Sequence, residues 1–75
     1  MNKIQCDIQY DGQKPRTVRA GSADDHATAQ VMLVTAEKSY LKRGYLTELS
    51  SGKLIVMGEV DGEILTKTFY IMRSE

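Results

Sequence analysis

The sequence predicts an α+β domain of order ββαβββ, in which an N-terminal hairpin, one helix and three further strands build a mainly antiparallel sheet with the helix packed across it. Three observations predict this. Apolar and polar residues alternate near the N-terminus, Ile4, Cys6, Ile8 and Tyr10 against Lys3, Gln5, Asp7 and Gln9, which is the period of a strand with one buried face. A central stretch, "SADDHATAQVMLVTAEKSYLKRG" at residues 22–44, replaces that alternation with a helical period. Turn pairs divide the rest, most plainly Asp11–Gly12 and Asp61–Gly62. With 75 residues there is room for one core, so residues 1–75 read as a single domain.

Each element has its own justification. After the first strand, "DGQK" marks a turn and residues 16–20 return. A two-residue loop would set Val18 opposite Gln5 on the wet face, whereas a three-residue loop, residues 11–13, sets it opposite Cys6, and the apolar match selects the latter. The helix is expected over residues 23–43. Ser22 is read as its N-cap with Asp25 in the capping-box place, Asp24 and Asp25 suit the positive end of the dipole, and Gly44 follows Lys42 and Arg43 where a left-handed residue ends a helix. "YLTEL" is a short strand and "SSGK" a turn. "LIVMGEV" and "EILTKTFYIM" then form a hairpin across Asp61–Gly62, the type I′ pair.

That turn sets a register. Gly58 meets Leu65, Val56 meets Lys67 and Leu54 meets Phe69 on the face expected to receive the helix. Glu59 with Ile64, Met57 with Thr66, Ile55 with Thr68 and Lys53 with Tyr70 share the other face, which Met72 extends. One helix covers one side of a sheet, so Ile55, Met57, Ile64, Tyr70 and Met72 are candidate partner-binding residues. The helix itself carries two apolar arcs at about 100° per residue. Ala23, Ala27, Val31, Val34 and Leu41 form one, with Lys38 at its edge, and are read as the arc that packs on the sheet. Ala29, Leu33, Ala36 and Tyr40 form the other, either partly covered as well or free for a partner, which adds Leu33 and Tyr40 to the candidates.

The order of elements, with "DDHATA" and "TKTF", resembles the β-grasp domains, some of which bind immunoglobulins. The resemblance implies a fold in which the last strand lies parallel to the first in mid-sheet; otherwise the three C-terminal strands form a plain meander. It implies no binding site, because fold does not carry function.

Several classes of function are disfavoured. Ten basic and ten acidic side chains cancel and the pI is near 6.6, without the positive excess of a phosphate-backbone binder. The longest apolar runs, "VMLV" and "LIVM", hold four residues each, too few for a membrane span. A lone cysteine forms no internal disulfide and agrees with a reducing compartment, so a cytoplasmic protein is expected. His26 is the single histidine and lacks the companions of a metal site or a catalytic triad, so it reads as a solvent-facing residue of the first helical turn. Cys6 has no local base and reads as a core residue. Glu59, Asp61 and Glu63 crowd one turn, where carboxylates are ordinarily solvated rather than calcium ligands. No nucleotide-binding, hydrolase or paired-carboxylate signature occurs, so no enzyme, cofactor, metal or small-molecule substrate is expected.

Binding remains. A chain this short buries only about 60% of its unfolded surface, which favours a protein-binding module that self-associates, or that inhibits or regulates a larger protein assembly. In size and build it resembles the small inhibitors that phages and mobile elements encode, anti-CRISPR proteins among them. The alternative is a nucleic-acid-binding regulator using Lys14, Arg16 and Arg19 of the first hairpin with Lys42 and Arg43 at the helix end.

Overall fold

A computed structural model describes residues 1–73 of the chain. Its elements are β1 (Asn2–Tyr10), β2 (Arg16–Ala23), α1 (His26–Lys42), β3 (Leu46–Ser50), β4 (Lys53–Val60) and β5 (Glu63–Arg73). The strands form one sheet of order β2-β1-β5-β4-β3, antiparallel at every pairing. The α+β order read from the sequence is therefore the order observed. The first and last strands do meet in mid-sheet, but Ile4 faces Ile71 and Tyr10 faces Leu65 across an antiparallel ladder, not the parallel one a β-grasp domain has. The cause is parity: three strands follow the helix instead of two, so the last strand arrives pointing the other way.

Both hairpin registers agree with the turn chemistry. Cys6 faces Val18, and the Gln13 amide donates to the Tyr10 carbonyl at 3.0 Å, closing the three-residue turn. Asp61 and Gly62 both have positive φ, 51° and 83°, the type I′ geometry that matches strand twist, and Leu54–Phe69, Val56–Lys67 and Gly58–Leu65 pair as expected. A bulge at Ala20 lies outside the sequence expectations: Gln5 faces Arg19, yet Ile4 faces Gly21. The extra residue reverses the facing of the residues after it. Ala23 thereby points under the helix and is buried, while Ser22 pairs with Lys3 on the other face.

The helix starts later than its sequence suggests. Asp25, not Ser22, is the N-cap: it is extended at φ −132° and ψ 166°, and its Oδ1 accepts from the Thr28 amide at 2.7 Å. Ser22 and Ala23 are held in β2 by the ladder to β1, and a residue paired in a sheet cannot also open a helix. The other end is as predicted. The Gly44 amide donates to the Leu41 carbonyl and the Tyr45 amide to the Tyr40 carbonyl, both at 3.1 Å, the paired bonds of a Schellman motif. Gly44 supplies the φ of 88° that the motif requires.

The arc that meets the sheet is the opposite of the one expected. Ala29 and Leu33 are fully buried, Leu33 at 1% exposure, and Met32, Ala36 and Tyr40 pack with them on Ile4, Leu54 and Val56. Val31 stands 63% exposed and Leu41 52%, with Val34 also exposed. Lys38 explains the choice. It sits within the outer arc, and burying that arc would desolvate an ammonium, whereas the inner arc is interrupted by no charge, and its alanines let the helix come close. Tyr40 completes the inner arc without leaving a polar atom stranded. Its hydroxyl accepts from Lys67 Nζ at 3.1 Å, and its ring meets Tyr45 edge-on at 5.2 Å and Phe69 at 5.9 Å between centroids. Gly58 makes this cluster possible, since a Cβ there would run into the Tyr45 ring.

Leu33→Ala should lower the unfolding free energy of the dilute protein by about 2–5 kcal/mol, as buried Leu truncations do, while Val31→Ala should change it by less than about 0.5 kcal/mol; denaturant titration of both variants checks the assignment. The Thr28 amide holds the Asp25 carboxyl below its ordinary range, so the ionised cap stabilises the fold above the ordinary Asp range and that contribution is lost as pH falls through the lowered folded-state value. Asp25→Ala should therefore melt at a lower temperature than the native chain at neutral pH, with the gap closing in strong acid.

Candidate binding surface

With α1 on one side, the sheet leaves its other side uncovered, and the register states which residues share it. In one row across the strands Leu46 faces Met57, Met57 faces Thr66, and Thr66 faces Gln9. In the next, Glu48, Ile55, Thr68, Asp7 and Thr17 follow one another from β3 to β2, and in the third Ser50, Lys53, Tyr70, Gln5 and Arg19 do so. The open face thus carries its apolar side chains, Leu46, Ile55 and Met57, on β3 and β4, interspersed with Glu48, Ser50 and Lys53, and is polar over β1 and β2.

At the apolar end Leu46 is 74% exposed and Met57 42%, and Ile64, diagonal to Met57 across the last hairpin, is also exposed. Ile55 is half-buried beside them. Leu46, Thr47, Glu48, Ile55 and Met57 line a shallow depression of about 180 Å³. Leu46 had no place among the candidates read from the sequence. Leu46 and Leu49 lie on opposite faces of a five-residue strand, and only the pairing with Met57 on one side and Leu54 on the other tells which is core.

At the polar end Tyr70 is half-buried and its hydroxyl is committed: Gln5 Oε1 lies at 3.2 Å and Asp7 Oδ1 at 3.3 Å, so one phenolic proton serves either acceptor. Thr17 Oγ1 donates to the same Asp7 oxygen at 2.6 Å. Burial, with the adjoining Asp7 carboxylate second, pushes the Tyr70 phenol above its ordinary value and keeps it a donor. Met72 shares the face but stands apart, beside Lys3 near the far end of β5. Of the residues read as partner-binding, Ile55, Met57 and Ile64 form one patch, Tyr70 and Met72 border the polar half, and Leu33 and Tyr40 belong to the core on the other side of the sheet.

The remaining singled-out residues have structural settings. His26 is exposed in the first turn of α1, with a ring nitrogen 3.3 Å from Gln30 Nε2, at an open cleft of about 460 Å³ that Asp24, Asp25 and Arg73 also line. Cys6 is buried on the helix side, and desolvation pushes its thiol up, partly opposed by Lys67, so thiolate chemistry is disfavoured there. No group of three or more His, Cys, Asp or Glu able to hold a metal occurs among the described residues.

Lys14 and Arg16 line one depression of about 380 Å³ with Ile8, Tyr10 and Gln13, but the five candidate basic residues do not share one surface. Arg16, opposite Ile8, lies on the helix side of the sheet, whereas Arg19, opposite Gln5, lies on the open face. Lys14 belongs to the connecting loop. Lys42 and Arg43 stand where the chain enters β3, the edge farthest from β2, and the Arg43 guanidinium rests 5.0 Å from the Tyr40 ring centroid and 5.3 Å from that of Tyr45. No family model, curated protein or solved structure matches the chain.

Because a nucleic-acid backbone needs several cations on one surface, binding to duplex DNA at physiological salt should stay at or above the weak, non-specific range of roughly 10⁻⁴–10⁻⁶ M, and the double change Arg16→Ala, Arg19→Ala should alter its salt slope by about one unit or less for each arginine removed. Fluorescence anisotropy across a salt series measures both.

Proposed function

We propose that the chain is a small, non-enzymatic protein-binding module that engages a larger protein assembly through the open face of its sheet and thereby inhibits or regulates it. The observation that carries this is the patch formed by Leu46, Ile55, Met57 and Ile64, apolar side chains gathered on a sheet face that α1 does not reach. Two features support a partner surface rather than incidental exposure. Apolar groups bordered by polar ones are the anatomy of protein interfaces, and here Glu48, Glu59, Thr66 and Thr68 adjoin the patch, with the Tyr70, Gln5, Asp7 and Thr17 network beyond them. The backbone beneath these side chains is held in paired strands, so binding orders side chains but no loop.

In this reading the chain acts in the cytoplasm; no helix among the described residues is long and apolar enough to cross a membrane. Its size and build resemble those of small inhibitors encoded by phages and mobile elements, which makes host machinery the first target to test. The immobilised chain is challenged with extract of its native cell, and the captured assembly is titrated against it. Met57→Glu and Leu46→Glu should fold as the native chain does and bind at least about tenfold more weakly, the effect of truncating a central interface residue. An assembly bound equally well by both folded variants would refute the sheet-face site.

A further inference from the structure

The outward arc of α1 is the largest feature that neither the core nor the sheet-face patch uses. We propose that this arc is a homodimer seam, on which the same helix of a second copy docks in antiparallel orientation. The inference is independent of the open sheet face.

Three observations carry it. The first is spacing. Ala27, Val31, Val34, Lys38 and Leu41 recur at intervals of four, three, four and three residues, the alternation that keeps a narrow seam directed at a second helix. All five are exposed, and they lie opposite the arc of Ala29, Leu33, Ala36 and Tyr40 that the sheet has already covered. The second is residue choice. Valine loses side-chain freedom in a helix and is a poor helix former, so Val31 and Val34 weaken α1 unless a partner removes them from water. Thr35, which flanks the seam, turns its hydroxyl back to the Val31 carbonyl at 2.9 Å, so that its polar atom is satisfied within the helix.

The third observation selects a second copy and its direction. On the outward side charge is sorted along α1: Asp24 precedes its first turn, while Lys38 and Lys42 lie in its last third; Glu37 accepts from Thr47 instead, and Arg43 stacks on Tyr40 and Tyr45. A parallel copy would set acid beside acid and stack Lys38 on Lys38. An antiparallel copy, with its two-fold axis near Val31 and Val34, sets each acidic end beside the other's basic end, opposes the helix dipoles favourably, and places Lys38 of each copy near the acidic start of the other helix. The same chain thus supplies both the apolar seam and its complementary charges, as a two-fold interface requires. A 17-residue helix is roughly 25 Å long, so the seam is small and a weak dimer, with a dissociation constant in the micromolar range, is expected. In such a dimer the two sheets lie outermost with their open faces pointing away from one another, leaving both free for other contacts.

Sedimentation equilibrium of the full chain from about 1 to 200 µM, bracketing that constant, tests the seam. The native chain should pass from monomer to dimer. Val31→Glu should raise the dissociation constant at least about tenfold with an unchanged circular dichroism spectrum; Leu41→Glu, at the end of the seam, gives a second reading should Val31→Glu melt early. Lys38→Asp, which would set acid beside the acidic start of the other helix, should weaken the dimer, and Met57→Glu should dimerise as the native chain does. A short bifunctional thiol reagent should join two copies of Val34→Cys, close to the axis, and fail to join two copies of Leu41→Cys, since buried Cys6 is shielded in both. A native chain monomeric throughout, or a dimer that survives both glutamate variants, would overturn the seam. Equal cross-linking at both positions would overturn the antiparallel orientation.

Discussion

Everything in this molecule depends on one packing contact, the inner arc of α1 against the central strands. Leu33, Leu54 and Val56 are its largest fully buried side chains, and they come from elements that no local interaction brings together. A domain of this size has little apolar surface to spend, so the single layer between helix and sheet carries most of the burial. Small residues at Ala29 and Ala36 allow the close approach, and Gly58 yields its place to the Tyr45 ring. The aromatic end of the core, Tyr40, Tyr45 and Phe69, then absorbs a lysine from the sheet, because the Tyr40 hydroxyl accepts from Lys67.

The same contact determines which surfaces are left over. A two-layer arrangement with one helix has two outer surfaces, the far side of the sheet and the far side of the helix. Both carry apolar side chains here, and they point in opposite directions. The sheet side is uneven, with hydrogen-bonded polar groups over β1 and β2 and a small aliphatic patch among charged residues over β3 and β4. The helix side is narrow and regular, with Asp24 before its start and Lys38 and Lys42 in its last third. Surfaces so different in shape suit different occupants, and their opposite placement lets both be occupied together.

The sheet edges add a constraint of their own. β2 is interrupted by the bulge at Ala20 and presents Arg16 and Arg19, while β3 is only five residues long. Bulges, charges and short length are the usual means by which an edge avoids pairing with another chain. Faces rather than edges are therefore the surfaces on which this protein has most to offer a partner.

Much of the fold was legible from local chemistry. Alternation along β1, β4 and β5 identified which residues share a face, the Asp61–Gly62 and Asp11–Gln13 turns set both hairpin registers, and Gly44 marked the helix end; each depends on neighbours within a few residues. The register placed Ile55, Met57, Ile64, Tyr70 and Met72 on one uncovered face, of which the first three lie together as a patch. The sequence could not decide which of two equivalent surfaces a distant element would cover. The two arcs of α1 are similarly apolar, and only contact with the sheet, together with the cost of burying Lys38, distinguishes core from exterior. Leu46 and Leu49 are equivalent until β4 pairs with β3, and Ser22 is a good cap until the ladder to β1 claims it. Which C-terminal strand lies beside β1 was likewise decided only by the assembled sheet. Local periodicity specifies which side chains travel together, whereas the assignment of each set to core or surface is a long-range energy difference that exists only once the layers have met.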